Sequence, residues 1–255
     1  MIKIIKYFLI DIIKNKVILG LTLFFLVTSF SLLYLDENQT KAVLSLMNIV
    51  IIVVPLISMI FAGNYYFNAY EFKEVLLSLP VARTRIILSE MIAVSISLAL
   101  SLGLGLGIPA LIFGAGSTIL YLILITMVLS VACAAIALLV VILSREKSRG
   151  LGLVLLAWFY FSLLYDVIIM TLLMNFSDYP LEKFVVFLAA LNPIDLCRIS
   201  MMLKLDISAL MGYTGALYKE FFSSLIGSAF TLGTMLLWIL IPTLISIRIY
   251  RKKDL

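Results

Sequence analysis

Histidine is absent from this 255-residue chain, and that absence removes a large part of enzyme chemistry. Without an imidazole there is no Ser-His-Asp or Cys-His constellation, no HExxH helix and no histidine general base. Most zinc sites and imidazole-based copper sites are excluded with it. Cysteine is nearly absent too, with Cys133 and Cys197 the only two. One lies in an apolar run and the other in a later mixed segment, so their expected depths differ and no disulfide is expected between them. No GxxxxGK[ST] loop occurs, which excludes nucleotide binding in the P-loop manner. Charge is scarce: Asp, Glu, Lys and Arg make up 13% of the chain, against about 25% in ordinary soluble domains.

Hydrocarbon fills the space. Six apolar runs, Val17–Leu35, Ala42–Phe67, Ile86–Phe113, Thr118–Leu143, Leu151–Met174 and Ser224–Ile247, cover most of the sequence. Each approaches or exceeds the roughly 20 helical residues needed to cross a bilayer core. The expected fold class is an all-α integral membrane protein with six transmembrane helices, as a single transmembrane domain over residues 1–255.

Basic residues set the expected orientation. With the N-terminus inside, the inner segments hold Lys3, Lys6, Lys14, Lys16, Lys73, Arg83, Arg85, Arg145, Lys147, Arg149, Arg248, Arg251, Lys252 and Lys253. Lys41, Lys183, Arg198, Lys204 and Lys219 fall outside. Both termini are therefore expected in the cytoplasm. The formal charge of +5 is a topology signal, since no aromatic residues interleave with a basic patch as nucleic-acid binding requires.

The start of the chain does not read as a cleaved signal, and the first span is expected to be retained. Asp11, Lys14, Asn15 and Lys16 interrupt the first apolar stretch, and no small-residue cleavage site follows Leu35. Residues 2–13 place Lys and Asp among Ile, Tyr, Phe and Leu at helical spacing, the pattern of an amphipathic helix on the inner leaflet and in contact with lipid. A plain cytoplasmic extension of the first span is the alternative.

Within the spans, Asp166 stands out, because a carboxylate at a helix centre costs about 2.5–3.5 kcal/mol on insertion scales. It lies toward the outer end, and two readings stand side by side: a functional or paired group, or a carboxylate solvated by a water-filled vestibule or by a neighbouring Tyr or Ser hydroxyl. Pro55, Pro109 and Pro242 are expected to bend their helices. Gly103, Gly105 and Gly107 form a GLGLG run without a preceding strand, which fits close helix packing and not a dinucleotide site. Met201, Met202 and Met211 offer soft sulfur near Cys197, and Met170 and Met174 share a face of the fifth span, a pattern that packing explains better than a copper path. No metal site and no bound cofactor are expected in this chain.

The segment Asn68 to Glu90, NAYEFKEVLLSLPVARTRIILSE, is the most specific polar feature. Tyr70 to Leu77 reads as a short helix with Phe72, Val75 and Leu76 on one side and Glu71, Lys73 and Glu74 on the other. Leu79-Pro80 ends it, and Arg83 and Arg85 open the next span. Such a lever can dock a cytoplasmic partner.

That pattern resembles the segment after the second helix in ABC-2 type transporter permeases, whose six spans, amphipathic first helix and cytoplasmic termini match the whole chain. The resemblance implies an ABC-2 permease architecture, a second copy of the chain, and a separate ATPase that uses ATP. Glu71, Phe72, Lys73, Glu74, Arg83 and Arg85 would lie at the ATPase interface, within a coupling segment at 68–85. More narrowly, Lys41 to Phe72 and LNPIDLCRISMMLKLDISALMGYTGALYKEFF, Leu191 to Phe222, are similar to NosY-type permeases that accompany nitrous oxide reductase maturation. That likeness implies a periplasmic β-helical partner and support for assembly of a copper-sulfur centre in a bacterial inner membrane.

The outer segment at 175–222 mixes charges with apolar residues and reads as short helices on the membrane surface, broken at Asn192-Pro193 and around Gly212 to Gly215. Asp195, Arg198, Lys204 and Asp206 would meet the periplasmic partner; a self-contained lid is the other reading. Two different functions also stay open. An ABC exporter of a peptide, lipid or drug would need no outer partner, and a secondary transporter would act alone through Asp166.

Overall fold

The structure, a computed structural model, describes residues 2–36, 39–78, 80–114, 116–144, 146–175, 182–205 and 225–252. At membrane depth an unpaired backbone group costs several kcal/mol, and a helix satisfies its own groups from within, so the apolar runs close into helices. The elements are α1 (Ile2–Ile13), α2 (Lys16–Leu35), α3 (Gln39–Asn68), α4 (Tyr70–Leu77), α5 (Arg83–Ile112), α6 (Ser117–Leu143) and α7 (Lys147–Phe159). A π turn over Tyr160–Leu164 leads into α8 (Tyr165–Asn175), followed by α9 (Glu182–Ala190), α10 (Pro193–Lys204) and α11 (Leu225–Lys252). No strand occurs among the described residues.

Six helical stretches are long and apolar enough to span a membrane: α2, α3, α5, α6, α7 continued into α8, and α11. The fold is thus the expected all-α, six-span arrangement. Local chemistry sets several boundaries. Asn15 Oδ1 accepts from Val17 N at 2.9 Å and caps α2. Gly114, at φ +60°, turns the chain out of α5 in a conformation that side-chain-bearing residues rarely adopt. Pro55, Pro109 and Pro242 all lie inside continuous helices.

Helix α6 is the centre of the bundle, packed against α3, α5 and α11, with 72% of its apolar window buried. The span formed by α7 and α8 buries only 17% and α11 only 22%, so both present broad apolar faces to their surroundings. Helix α1 does not span; it lies on α5 and buries Phe8 and Ile12. Helices α2 and α5 approach closely at Gly105, where a Cβ would fall 2.9 Å from Phe25 Cβ and 3.0 Å from the Thr22 carbonyl. Thr22 Oγ1 and Ser101 Oγ meet at 2.8 Å in the same seam. Close packing therefore accounts for Gly105 and, against the Met127 methyl of α6, for Gly103, whereas Gly107 faces open space.

Candidate functional site

Two polar clusters interrupt the apolar bundle, one at the end that carries α1 and α4 and one where α9 and α10 turn back toward α7, α8 and α11.

The first is built on Lys73. Its Nζ donates to the Tyr66 carbonyl at 2.7 Å and to both Glu90 carboxylate oxygens at 3.2 Å, and sits 3.5 Å from the Tyr66 ring centroid. Both charged side chains are 2% exposed. An ammonium that gives up water needs its donors satisfied, and here a carbonyl, a carboxylate and an aromatic face provide for it. The pair ties α4 to the end of α3 and to the second turn of α5.

This placement corrects the expected division of α4. Lys73 does not stand on the outward polar side; it takes the buried position one turn from Leu76, and Val75, expected inward, is 62% exposed. At 100° per residue, positions 73 and 76 share a face and 75 points away from it, so the Glu90 carboxylate decided which face turned inward. Glu71, Glu74 and Arg85 are exposed, while Arg83 and Phe72 are half-buried. Phe72 stacks on Tyr7 at 4.4 Å and meets Phe8 edge-on at 5.4 Å, which joins α1 to α4. Between them opens a cleft of about 380 Å³ lined by Asp11, Asn15, Tyr65 and Glu71 among others, with Tyr65 Oη donating to Asp11 at 3.0 Å. Lys147 at the start of α7 donates to Asn68 at 2.7 Å and closes the same end of the bundle.

Glu90 escaped the sequence reading. Its signal was a lone carboxylate four residues into an apolar run, with a lysine in the preceding short helix.

The second cluster joins Asp166, Asp195 and Arg198. Arg198 Nη1 and Nη2 form a fork on Asp166, at 2.5 and 2.8 Å, and Nη2 also donates to Asp195. Two carboxylates share one guanidinium, so with every member ionised the cluster carries one net negative charge. Burial pushes the Asp195 carboxyl up to about 6; Arg198 pulls it down and Asp166 pushes it up. Asp166 is thus paired within the chain, and the reading of a carboxylate held by hydroxyls gives way to one held by arginine.

The same contacts change the picture of the outer segment. Pro193 to Cys197 and Ile199 to Met201 are buried, so α10 is inserted into the bundle against α3, α6 and α11 and does not lie flat on a surface. Asp195, expected to meet a periplasmic partner, is 4% exposed and turned inward; a carboxylate with a guanidinium available inside has no reason to face water. Arg198 keeps about a third of its side chain exposed and Lys204 is exposed. Asp206, with the rest of the segment up to Phe222, lies outside the described residues.

The turn between α9 and α10 is pinned by side chains. Asn192 Oδ1 caps α10 from Ile194 N at 3.0 Å, and its Nδ2 donates to the Phe161 carbonyl at 2.7 Å, inside the π turn. Tyr165 Oη reaches the Leu188 carbonyl, and Trp238 Nε1 the Ala190 carbonyl at 2.9 Å. Irregular backbone is tolerated within a membrane bundle only with such partners. Cys133 and Cys197 are buried and unbonded to each other, and burial pushes the Cys197 thiol up to about 12. Met170 and Met174 sit on the exposed face of α8, whereas Met201 is buried in α10. Met211 lies outside the described residues.

Six spans, a short helix tethered at one end and a hairpin turned inward at the other define a multi-pass membrane protein whose sequence carries no P-loop. Residues 2–255 match the family described as ABC-2 family transporter protein, and the chain belongs to that family. It is therefore the membrane permease component of an ABC transporter, a system in which an ATPase is the partner. No curated protein matches the chain.

Proposed function

We propose that this permease works as a pair of copies, each seated on a separate cytoplasmic ATPase, with α1 and α4 as the docking surface. The observation that supports it best is the division of α4. Lys73 and Leu76 hold the helix to the bundle, while Glu71, Glu74 and Val75 stand clear of it. A helix fixed on one face and free on the other can receive a load and pass it to α5. Phe72 extends the surface to α1, and Arg83 and Arg85 flank it. The basic residues beside this end support a cytoplasmic location for it and for both termini.

The test is co-purification in mild detergent. Glu71→Lys combined with Glu74→Lys is expected to abolish recovery of the ATPase at unchanged membrane insertion and thermal stability, because both side chains are exposed. Undiminished recovery would remove α4 from the interface.

For the cargo, the likeness of residues 41–72 and 191–222 to NosY-type permeases supports a role in assembling the copper-sulfur centre of nitrous oxide reductase. A periplasmic β-helical protein is then a further partner in the bacterial inner membrane, with Arg198 and Lys204 as contact residues. Export of an amphiphilic peptide, lipid or drug is the second reading, favoured by the inward turn of α10 and the apolar faces of α7, α8 and α11. A pull-down from cells respiring nitrous oxide separates them. An ATPase recovered with a β-helical protein supports the first; an ATPase alone supports export.

A further inference from the structure

Helix α8 is the loosest part of its span. Val167, Ile168, Met170 and Met174 are largely exposed, and among the described residues only the π turn at its base packs broadly on it. A π turn interrupts the regular hydrogen-bond ladder, and helices bend where one occurs. Tyr160–Leu164 is therefore the hinge about which α8 can swing. Two side-chain bonds tie α8 to the hairpin. Tyr165 Oη donates to the Leu188 carbonyl at the hinge itself, and Arg198 forks onto Asp166 one residue further on. Helix α10, which carries Arg198, is held in the bundle by α3, α6 and α11, so the fork joins a loose element to a fixed one.

The guanidinium in that fork is claimed twice. Nη2 donates to Asp166 Oδ1 at 2.8 Å and also to Asp195, one turn back on α10 and buried. A neutral Asp195 gives up its claim, and both nitrogens then serve Asp166; an ionised Asp195 draws Nη2 back onto its own helix. Burial pushes the Asp195 carboxyl up to about 6, which brings the exchange into an ordinary range of pH.

The other titratable groups on the elements around Asp195 are mostly hydroxyls and thiols: Tyr160 and Tyr165 on the hinge side, Tyr121 and Cys133 on α6, and Cys197 on α10 itself. Lys204, nine residues further along α10, lies over the Tyr121 ring at 5.9 Å, and Lys41 is in the first turn of α3. Helix α9 has Glu182 and Lys183 in its first turn and an apolar last turn, and α11 has no charged residue before Arg248.

We propose that Arg198 is a proton-controlled latch, which pins α8 to the inserted α10 when Asp195 is neutral and frees α8 to swing about the π turn when Asp195 is ionised. The device rests on the shared guanidinium and the hinge, and is independent of the docking surface at α4 and of the cargo.

Spin-label distances test it in the full-length protein, reconstituted in phosphatidylcholine vesicles at pH 5 and pH 8. With Cys133→Ala and Cys197→Ala as background, one label is attached through Met174→Cys at the exposed end of α8 and the other through Lys204→Cys on α10. Met174 lies about 15 Å along the helix from the hinge, so a swing of about 20° moves it by about 5 Å. The labelled parent should give one narrow distance at pH 5 and a broader, displaced distribution at pH 8. Asp195→Asn should stay narrow at both, and Asp166→Asn, which removes the charge that the fork holds, should be broad at both. Either variant decides by itself if the other fails to fold. The proposal is overturned by a parent distribution that does not change with pH, by a change that survives in either variant, by Asp195→Asn broad at pH 5 or by Asp166→Asn narrow at pH 8.

Discussion

Replacing Lys73 by Met keeps the length and apolar stem of the side chain and removes only the ammonium. What is left behind is Glu90, 1% exposed, with neither its counter-ion nor the hydrogen bonds at 3.2 Å that the ammonium supplied. Breaking a buried pair in this way costs about 3–5 kcal/mol. For a chain of this size about 3 kcal/mol corresponds to a fall in Tm of roughly 6–12 °C. Glu90→Gln should cost less, since Lys73 keeps the Tyr66 carbonyl and ring and retains one amide oxygen in place of the two carboxylate oxygens. The double variant Lys73→Met with Glu90→Leu removes both charges together and should recover most of the loss, as charge pairs replaced by apolar groups of similar volume often do. The order of thermal unfolding temperatures in one mild detergent, parent and double variant above Glu90→Gln above Lys73→Met, is the measurement. A Lys73→Met protein as stable as the parent, or a double variant worse than either single, would refute the reasoning.

Helix packing and the second cluster give further outcomes. Gly105→Val should destabilise by about 1–3 kcal/mol, because its side chain meets the α2 backbone and Phe25 with no room to yield, and Gly107→Ala, facing open space, should be neutral or mildly stabilising; thermal unfolding of the two compares them. The raised Asp195 carboxyl makes the folded protein hold a proton that the unfolded chain releases between about pH 4 and pH 6. Its stabilising contribution is therefore full below about pH 4 and lost as pH rises through 6, so Tm should be higher at pH 5 than at pH 7, and Asp195→Asn should flatten that slope. A slope unchanged in Asp195→Asn would assign it to other groups.

The cluster at the α4 end was half legible in the sequence. The short helix at 70–77, its proline stop and the exposed Glu71 and Glu74 followed from local pattern, whereas the inward turn of Lys73 did not. Its partner lies seventeen residues away on another helix, and a lysine among glutamates reads as solvated until a buried carboxylate is placed opposite it. The Asp166–Arg198–Asp195 cluster was hidden for the same reason. Three charges on two elements, thirty-two residues apart at the widest, carry no period that says which face each will take.

The sequence by itself determined the number of spans, their approximate extent, the all-helical class and the end at which basic charge collects, because these depend on runs of hydropathy and on charges within a few residues of them. Only the tertiary structure decided that α6 is the centre, that α10 enters the bundle instead of lying across it, and that the two lone carboxylates of the spans are each paired. Those outcomes turn on desolvation. An isolated buried charge costs more than its segment can supply, and the partner that lowers the cost is brought near by the fold and not by the order of residues along the chain.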